Sequence, residues 1–451
     1  MEPVSLSWIA EVSRGKLLSG DPSTTILGIS TDTRTISKGE LFVALKGERF
    51  DGHDFIDEVF GKGASGVVLQ RPPKKLIGKG VIEVEDTLRA LGDIAGAYRR
   101  RFNPRILAIS GSNGKTTTKE MVAHLLKMRF NTIKARASFN NFIGVPLTLL
   151  EITNITEMVV LEMETNLLGG IRRLCEIAEP SIGILTNISD THLESLKTRD
   201  GVFMEKKELI DSLQGNGVAV LNKDDPYLGR IKREGLVTYG IRERADFQAS
   251  SIETKDLSIN FLLNNRYRVQ LKTFFYCNVY NALAAIATSH LLGLSIDEAV
   301  EGLARFRFLP MRMELISTKD FKIINDAYNA NPKSMKEAIS TLKGKGRRRV
   351  AILGDMLELG EPATSLHYDI GKFCFHCGLD VLVLIGEYAS WVSKGAMDSG
   401  MEGRNIFVYS TNKEALRDIP QIIKKGDVIL VKGSRKMRLE EIVDFMREIS
   451  L

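Results

Sequence analysis

Nowhere in the 451 residues does an apolar run reach the roughly 18–20 residues that a membrane-spanning helix needs, so membrane insertion is not expected. The first residues, Met1-Glu2-Pro3-Val4-Ser5-Leu6-Ser7-Trp8, lack a basic stretch followed by an apolar one. No export signal is expected, and the cytoplasm is the expected location. Charge of one sign is also scarce. The 62 basic and 56 acidic residues leave a formal +6, which suits anionic small substrates and gives no reason to expect a nucleic-acid partner. Two basic runs, Arg99-Arg100-Arg101 and Lys343 to Arg349, have no interleaved aromatic residues on which bases could stack. They read as solvated connectors.

Cysteine is limited to four residues, and only Cys374-Phe375-His376-Cys377 has the C-x-x-C spacing. A structural zinc site needs a second ligand pair, which is absent. The segment reads as a helix with Phe373 and Cys377 on one face, packed into a core, and the thiols are expected to be reduced.

What the chain does have is ordinary globular material. Its 43% hydrophobic and 26% charged residues allow each of two to four domains of about 100–200 residues to bury a core. Three regions emerge, without repeats. Residues 1–102 carry short β-like runs such as Leu41-Phe42-Val43-Ala44-Leu45 and end in a helical stretch from Thr87 to Arg101. Residues 103–309 alternate strand and helix, which argues for a mainly parallel sheet. Phe308-Leu309-Pro310 breaks that pattern. Residues 310–451 alternate again, as a doubly wound Rossmann-like domain. No G-x-G-x-x-G follows the first strand there, so a dinucleotide site is not supported. The fold expected is α/β in three domains.

The clearest chemical signal lies where the strand Arg105 to Ser110 runs into Gly111-Ser112-Asn113-Gly114-Lys115-Thr116-Thr117 and then a helix. Glycines let backbone N–H groups curl around phosphate, and the helix N-terminus adds its positive end. Lys115 would reach the terminal phosphates, and the Thr116 hydroxyl would sit on Mg²⁺. Ile109 stands where the general pattern has its first glycine. Such a loop establishes phosphate binding but not the acceptor, and a kinase or a nucleotide-dependent binding protein would also carry it. Glu162 ends the next apolar strand, where a carboxylate suits a hard cation. His192 lies just past the 182–187 strand, on the same sheet edge. Asn278 and Asn281 are three apart on a helix and could both face an adenine edge; helix capping or core hydrogen bonding is the alternative. Thr33 and Arg34 could hold a diphosphate or merely form a polar turn.

Taken together, these segments resemble the Mur ligase superfamily over nearly the whole chain and in the family order. The phosphate loop is similar to the family's ATP loop, Asn140-Asn141-Phe142-Ile143-Gly144-Val145-Pro146 to its substrate-side segment, and Thr186-Asn187 through His192-Leu193-Glu194 to its metal segment. The resemblance implies that Gly111 to Thr117, Asn278, Asn281, Arg312 and Asp326 bind ATP. It implies metal roles for Thr116, Glu162 and His192, and for a carbamylated lysine in Gly201-Val202-Phe203-Met204-Glu205-Lys206-Lys207-Glu208. Lys206 is in register, with Lys207 adjacent; on pattern alone both read as solvent-facing. Lys115, Lys206, His192 and Glu162 are thereby expected to be catalytic.

Asn325-Asp326-Ala327-Tyr328-Asn329-Ala330-Asn331-Pro332 resembles the D-alanyl-D-alanine-adding branch of the family, as do the segments at 352–360 and 431–437. The Asn-Pro-Arg core of the diaminopimelate- or lysine-adding branch is not found, which leaves those activities as the alternative. Thr33, Arg34, Asn140, Asn141, Tyr328, Asn329 and Asn331 are expected on the substrate side. The activity implied is ligation of D-Ala-D-Ala to UDP-N-acetylmuramoyl-tripeptide through an acyl phosphate, with ATP and Mg²⁺, by a monomer. Three positions depart from the family pattern. Cys277 replaces a histidine, Met311 a glycine before Arg312, and Glu164 a glycine after Glu162-Met163.

Overall fold

The computed structural model describes residues 1–72, 78–137, 139–255 and 258–449. Four sheets organise the described residues. A five-stranded sheet and a two-stranded one lie in the first region, a nine-stranded sheet in the second and a six-stranded sheet in the third.

The nine-stranded sheet explains how the central residues come together. Its strand Arg105–Ser110 is buried from Ile106 onward, as an apolar run covered by helices on both faces should be. Met158–Glu162 pairs parallel on one side of it and Ile182–Leu185 on the other. The chain therefore reverses its direction of travel across the sheet beside Arg105–Ser110. In open parallel sheets that reversal leaves a crevice beyond the carboxyl ends of the strands. Ser110 and Leu185 are paired partners, as are Ile109 and Glu162, so the phosphate loop, Glu162 and the 186–192 segment share one edge.

Helix–strand alternation does not continue to residue 309. Leu236–Gly240 extends the parallel sheet, and Phe247–Lys255, Ser258–Leu263 and Tyr267–Leu271 then form an antiparallel ribbon on it. Alternating burial along Ser258–Leu263 is the mark of a strand with one face on the core. The helix Cys277–Leu291 covers this part of the sheet and packs on the helix Lys115–Leu126.

The third sheet is parallel except for its edge strand Glu314–Ser317. Its strands Lys322–Asp326 and Asp427–Lys432 end in register, with Asp326 opposite Lys432. Cys374 and Cys377 are both buried in the core of this domain, and Phe373 packs against that core.

The two basic runs are solvated connectors only in part: Arg101 is exposed, as are Lys343 and Arg347 in the turn before the strand, but the other arginines are held by distant partners. The helix Thr87–Arg99 packs on the second region, and Arg99 and Arg100 both pair with Glu179. Arg348 and Arg349 open the strand Arg348–Gly354 and pair with Asp427 and Asp380. In each case the partner lies at least 31 residues away, so the local sequence could not show it.

Among the described residues, no helix is long and apolar enough to cross a membrane.

Candidate functional site

The phosphate loop owes its shape to two glycines in left-handed backbone, Gly111 at φ 132° and Gly114 at φ 82°. A Cβ on Gly111 would lie 2.2 Å from Thr186 Oγ1, and one on Gly114 would lie 2.5 Å from Asn281 Oδ1. Only glycine fits at either position. The loop is laced to the neighbouring strand end. Ser112 N donates to Asn187 O at 2.8 Å, and Thr186 Oγ1 donates to Asn113 O at 2.6 Å. No side chain caps the helix Lys115–Leu126, so its first amides remain available to an anion. Ile109 is wholly buried in the strand.

Lys115 is turned back on its own loop. Its Nζ donates to Gly111 O at 2.8 Å and Ser112 O at 3.2 Å, and lies 2.6 Å from Glu164 Oε1. Glu164 in turn lies 3.2 Å from His192 Nε2. Burial works against the Glu164 carboxylate, but Lys115 and the His192 bond outweigh it and hold its pKa well below the usual range. His192 Nδ1 reaches across to Glu358 Oε2 of the third region at 2.6 Å. Burial would lower the imidazole pKa; the bonds to Glu164 and Glu358 raise it overall. Glu358 is lowered, chiefly by its bond to His192.

Glu162 provides the test for a divalent cation. It is buried, its Oε1 accepts from Asn140 Nδ2 at 3.0 Å, and its Oε2 has no hydrogen-bond partner. Lys119 Nζ is the cation nearest that oxygen in the ion pairs, at 4.0 Å. A buried carboxylate oxygen without a partner is costly and fits a hard cation. Among the described residues, no three His, Cys, Asp or Glu side chains form a closed cage. Mg²⁺ requires none, since it is commonly held by one or two carboxylates, water and substrate phosphates.

Lys206 and Lys207 are sharply distinguished. Lys206 is fully buried, with Nζ 3.4 Å from Thr165 O and in the field of Glu164, Lys115 and Glu162. Burial lowers its amine to about 8. Lys207 is partly exposed and pairs with Asp211 on its own helix at 2.5 Å.

The third region meets the loop directly. Arg312 Nη2 donates to Thr116 Oγ1 at 3.0 Å, and its guanidinium lies 3.8 Å from the centre of the Tyr328 ring. Met311 and Met313, on either side of it, have φ of 58° and 56°. Met311, at the start of the third region, thus adopts a backbone that glycine takes without strain. Asn331 Nδ2 donates to Asn113 Oδ1 at 2.7 Å. Asp326 accepts from Lys432 Nζ at 2.5 Å and from Met313 N at 3.1 Å, and Lys432 also donates to Asn329 O.

The remaining expected residues are placed as follows. Asn278 and Asn281 are both buried. Asn281 Nδ2 donates to Asn278 Oδ1 at 3.0 Å, and Thr118 Oγ1 donates to Asn281 Oδ1 at 3.2 Å. They tie their helix to the phosphate-loop helix. Thr117 is partly buried on that helix. Asn141 accepts from the amides of Ile143 and Gly144 at the start of the helix Gly144–Leu149. Thr33 and Arg34 stand apart on the first domain. Arg34 pairs with Asp32 at 2.6 Å, and Thr33 O accepts from Lys62.

Sequence reading gave no role to Glu358, Lys119 or Lys432. Lys119 is wholly buried and donates to Ala135 O at 2.8 Å and Ala137 O at 3.2 Å. The only hint was position, since each lies within or beside a motif.

Three family models match this chain: "Mur ligase family, catalytic domain" over residues 25–99, "Mur ligase middle domain" over 109–289 and "Mur ligase, glutamate ligase domain" over 311–435. The UDP-N-acetylmuramoyl-tripeptide–D-alanyl-D-alanine ligase of Bacillus subtilis is 37% identical, with 98% of each chain covered. That of Escherichia coli is 33% identical, with 99% of each covered. A crystal structure of MurF from Acinetobacter baumannii superposes with a TM-score of 0.91 at 31% identity, covering 99% of this chain and 100% of that one. The MurF ligase of Thermotoga maritima, solved in complex with ADP, gives 0.83 at 28% identity, covering 93% and 97%.

Proposed function

The chain belongs to the Mur ligase family, and from that premise we propose how its residues divide the work. The enzyme is an ADP-forming ligase of peptidoglycan precursor synthesis. It uses ATP to join D-alanyl-D-alanine to UDP-N-acetylmuramoyl-tripeptide. The observation that carries our assignment of parts is the Arg312–Thr116 contact, which brings the third domain onto the phosphate loop.

In this reading residues 1–102 hold the UDP-sugar through Thr33 and Arg34, residues 103–309 hold the nucleotide, and residues 310–451 close over both and bind the amine. The terminal carboxylate of the tripeptide attacks the γ-phosphorus, and the bond to the β-bridging oxygen breaks to release ADP. The amine of D-Ala-D-Ala then attacks the acyl carbon. Phosphate leaves with the former acyl–oxygen bond, the amine loses a proton, and an amide remains. Lys115 and the loop amides neutralise charge on the transferring group. Thr116, Glu162 and His192 would hold Mg²⁺, which when bound would supply further charge neutralisation. Closure of the third domain keeps water from the acyl phosphate.

Lys206 is the lysine we assign to carbamylation. Its lowered amine pKa leaves a neutral fraction able to attack CO₂ near neutral pH; the nitrogen forms the new C–N bond and gives up a proton, and the resulting carbamate would be an anionic oxygen ligand. Asn140 and Asn141 face the peptide side, with Tyr328, Asn329 and Asn331 on the third-domain wall. We place the enzyme in the cytoplasm, as a monomer.

The test is phosphate release over a panel of UDP-muramoyl peptides with D-Ala-D-Ala as the amine. Release should require both substrates and match amide formation one for one. Release with either substrate omitted, or a stable phosphorylated product, would overturn the reading.

A further inference from the structure

Glu164 stands where it obstructs the expected partner of Lys115. The Lys115 ammonium has three N–H groups, and three oxygens lie within reach: Gly111 O, Ser112 O and Glu164 Oε1. To hold a phosphate, Lys115 must release at least one. Two belong to the backbone of the fixed loop. The third is a partly exposed side chain, so Glu164 is the group that can yield.

Where Glu164 can go is also defined. Its backbone N–H is tied to Asn140 O at 2.8 Å, so only the side chain moves. Glu162 and Glu164 are two residues apart, which in extended chain directs them to the same side. One amide group joins them: Asn140 Nδ2 donates to Glu162 Oε1 at 3.0 Å and lies 3.4 Å from Glu164 Oε2. The two carboxylates are therefore neighbours, and Glu162 Oε2 already lacks a hydrogen-bond partner. Glu164 also lies against His192 Nε2. While Lys115 pairs with Glu164, the acidic cluster is balanced. Once a phosphate takes Lys115, Glu164 loses its closest cation, His192 and Lys119 remain the nearest positive groups to the two carboxylates, and like charges facing a polyanion at such range disfavour binding.

We infer that Glu164 makes nucleotide and divalent-cation binding interdependent: it holds Lys115 in the empty site, and on nucleotide entry it turns to the cation beside Glu162. Binding of nucleotide alone must break the Lys115–Glu164 pair without replacing it. Binding of nucleotide with the cation replaces Lys115 by a stronger partner. The inference rests on the assignment of Lys115 to phosphate made above.

The test is titration calorimetry with ADP, in Mg²⁺ and in EDTA, on the full-length protein and its Glu164→Gln, Glu164→Gly and Lys115→Ala variants. Mn²⁺ binding is followed by electron paramagnetic resonance. The wild-type protein should bind ADP far more weakly in EDTA than in Mg²⁺. Glu164→Gln should bind ADP in EDTA about tenfold more tightly than wild type, because the competing charge is gone. Mn²⁺ affinity should fall in the same variant by a similar factor, shrinking the coupling between the two ligands. Glu164→Gly should agree with Glu164→Gln in direction.

Wild-type ADP affinity that is equal in Mg²⁺ and EDTA would overturn the inference whether or not the variants fold. So would Glu164 variants whose metal-free affinity and coupling match wild type within about twofold, a difference too small for loss of a charge pair. Lys115→Ala separates the two levels. If it binds ADP as wild type does, the phosphate assignment itself fails. If it loses affinity while the Glu164 variants behave as wild type, only the inference drawn here fails.

Discussion

His192 and Glu358 lie on loops that follow strands of two different sheets and meet at 2.6 Å, Nδ1 to Oε2. The bond fixes which ring nitrogen faces the phosphate loop, since an acceptor on Nδ1 leaves Nε2 directed at Glu164. Carboxylates that orient a metal-binding imidazole in this way commonly change metal affinity or activity by about 10–100-fold when removed. The backbone supports the contact. Glu358 adopts φ 63°, and its carbonyl accepts from Glu194 N at 3.2 Å. The third domain therefore reaches the site by three routes, Glu358 to His192, Arg312 to Thr116 and Asn331 to Asn113.

Glu358→Ala should lower Mn²⁺ affinity by about tenfold or more. Glu358→Gln keeps an oxygen that can accept from Nδ1–H and should retain most of it. Equal losses in both variants would show that charge, not orientation, is what Glu358 supplies. The measurements are Mn²⁺ binding and the split between kcat and KM for ATP.

Lys206→Ala should be inactive, with partial recovery when short-chain carboxylates are added, because the missing group is an anionic oxygen. Lys207→Ala should stay within about twofold of wild type, since it removes only an exposed i,i+4 ion pair of a few tenths of a kcal/mol. Steady-state turnover with and without added acetate decides between them. An active Lys206→Ala enzyme would remove the bridging role from this residue.

Legibility divides along the reach of the interactions. The phosphate loop is local: two glycines, a lysine and a threonine within six residues define it, and the structure shows why each glycine is needed. Lys206 is the opposite case. Helix Arg199–Asp211 carries charge on several faces, so pattern alone placed both lysines in solvent, and only resemblance singled out the buried one. The antiparallel ribbon at 247–271 went unread because alternation over five or six residues competes poorly with an established strand–helix rhythm. Arg99 and Arg100 looked like a linker because Glu179 lies 79 or more residues away. Met311 was legible as a departure but not as strain. Its positive φ of 58° is a property of the folded backbone that no composition reveals.

Gly114→Ala should weaken ATP binding more than it weakens the fold. Its Cβ would strike Asn281 Oδ1 at 2.5 Å, and Asn281 is itself fixed by Asn278 and Thr118. Gly169→Ala serves as the control, because its φ of 85° is nearly the same and nothing lies within 4 Å of the new Cβ. Both should lose about 1 kcal/mol to backbone strain. The further loss of ATP affinity should appear only at Gly114. Equal ATP affinities in the two variants would mean that the Asn281 contact is immaterial to the loop.

Asp224 gives the anchoring of the helix Cys277–Leu291 a pH dependence whose sign can be worked out. Its carboxylate accepts from the amides of Ile241, Arg242 and Glu243 and from Tyr280 Oη at 2.8 Å. Burial alone would raise its pKa; the backbone bonds and Tyr280 outweigh burial, and the net shift is downward. Burial and Asp224 together push the Tyr280 phenol up, so it remains a donor at neutral pH. A carboxyl whose folded pKa lies below its unfolded value of about 3.9 adds stability above that value. The contribution is lost as pH falls through the folded pKa. Asp224→Asn should therefore lower stability at pH 7 by about 1 kcal/mol, a figure kept small because the carboxylate is partly open to solvent. The gap to wild type should narrow as pH drops below about 4, because protonated Asp224 and asparagine are then both neutral. Denaturant titrations of both proteins from pH 7 to pH 3 check this. A gap that stays constant or widens toward acid would show that shape and not charge fixes Asp224 to the 241–243 turn and to Tyr280, which lies two places after Asn278 and one before Asn281 on the helix that packs against the phosphate-loop helix.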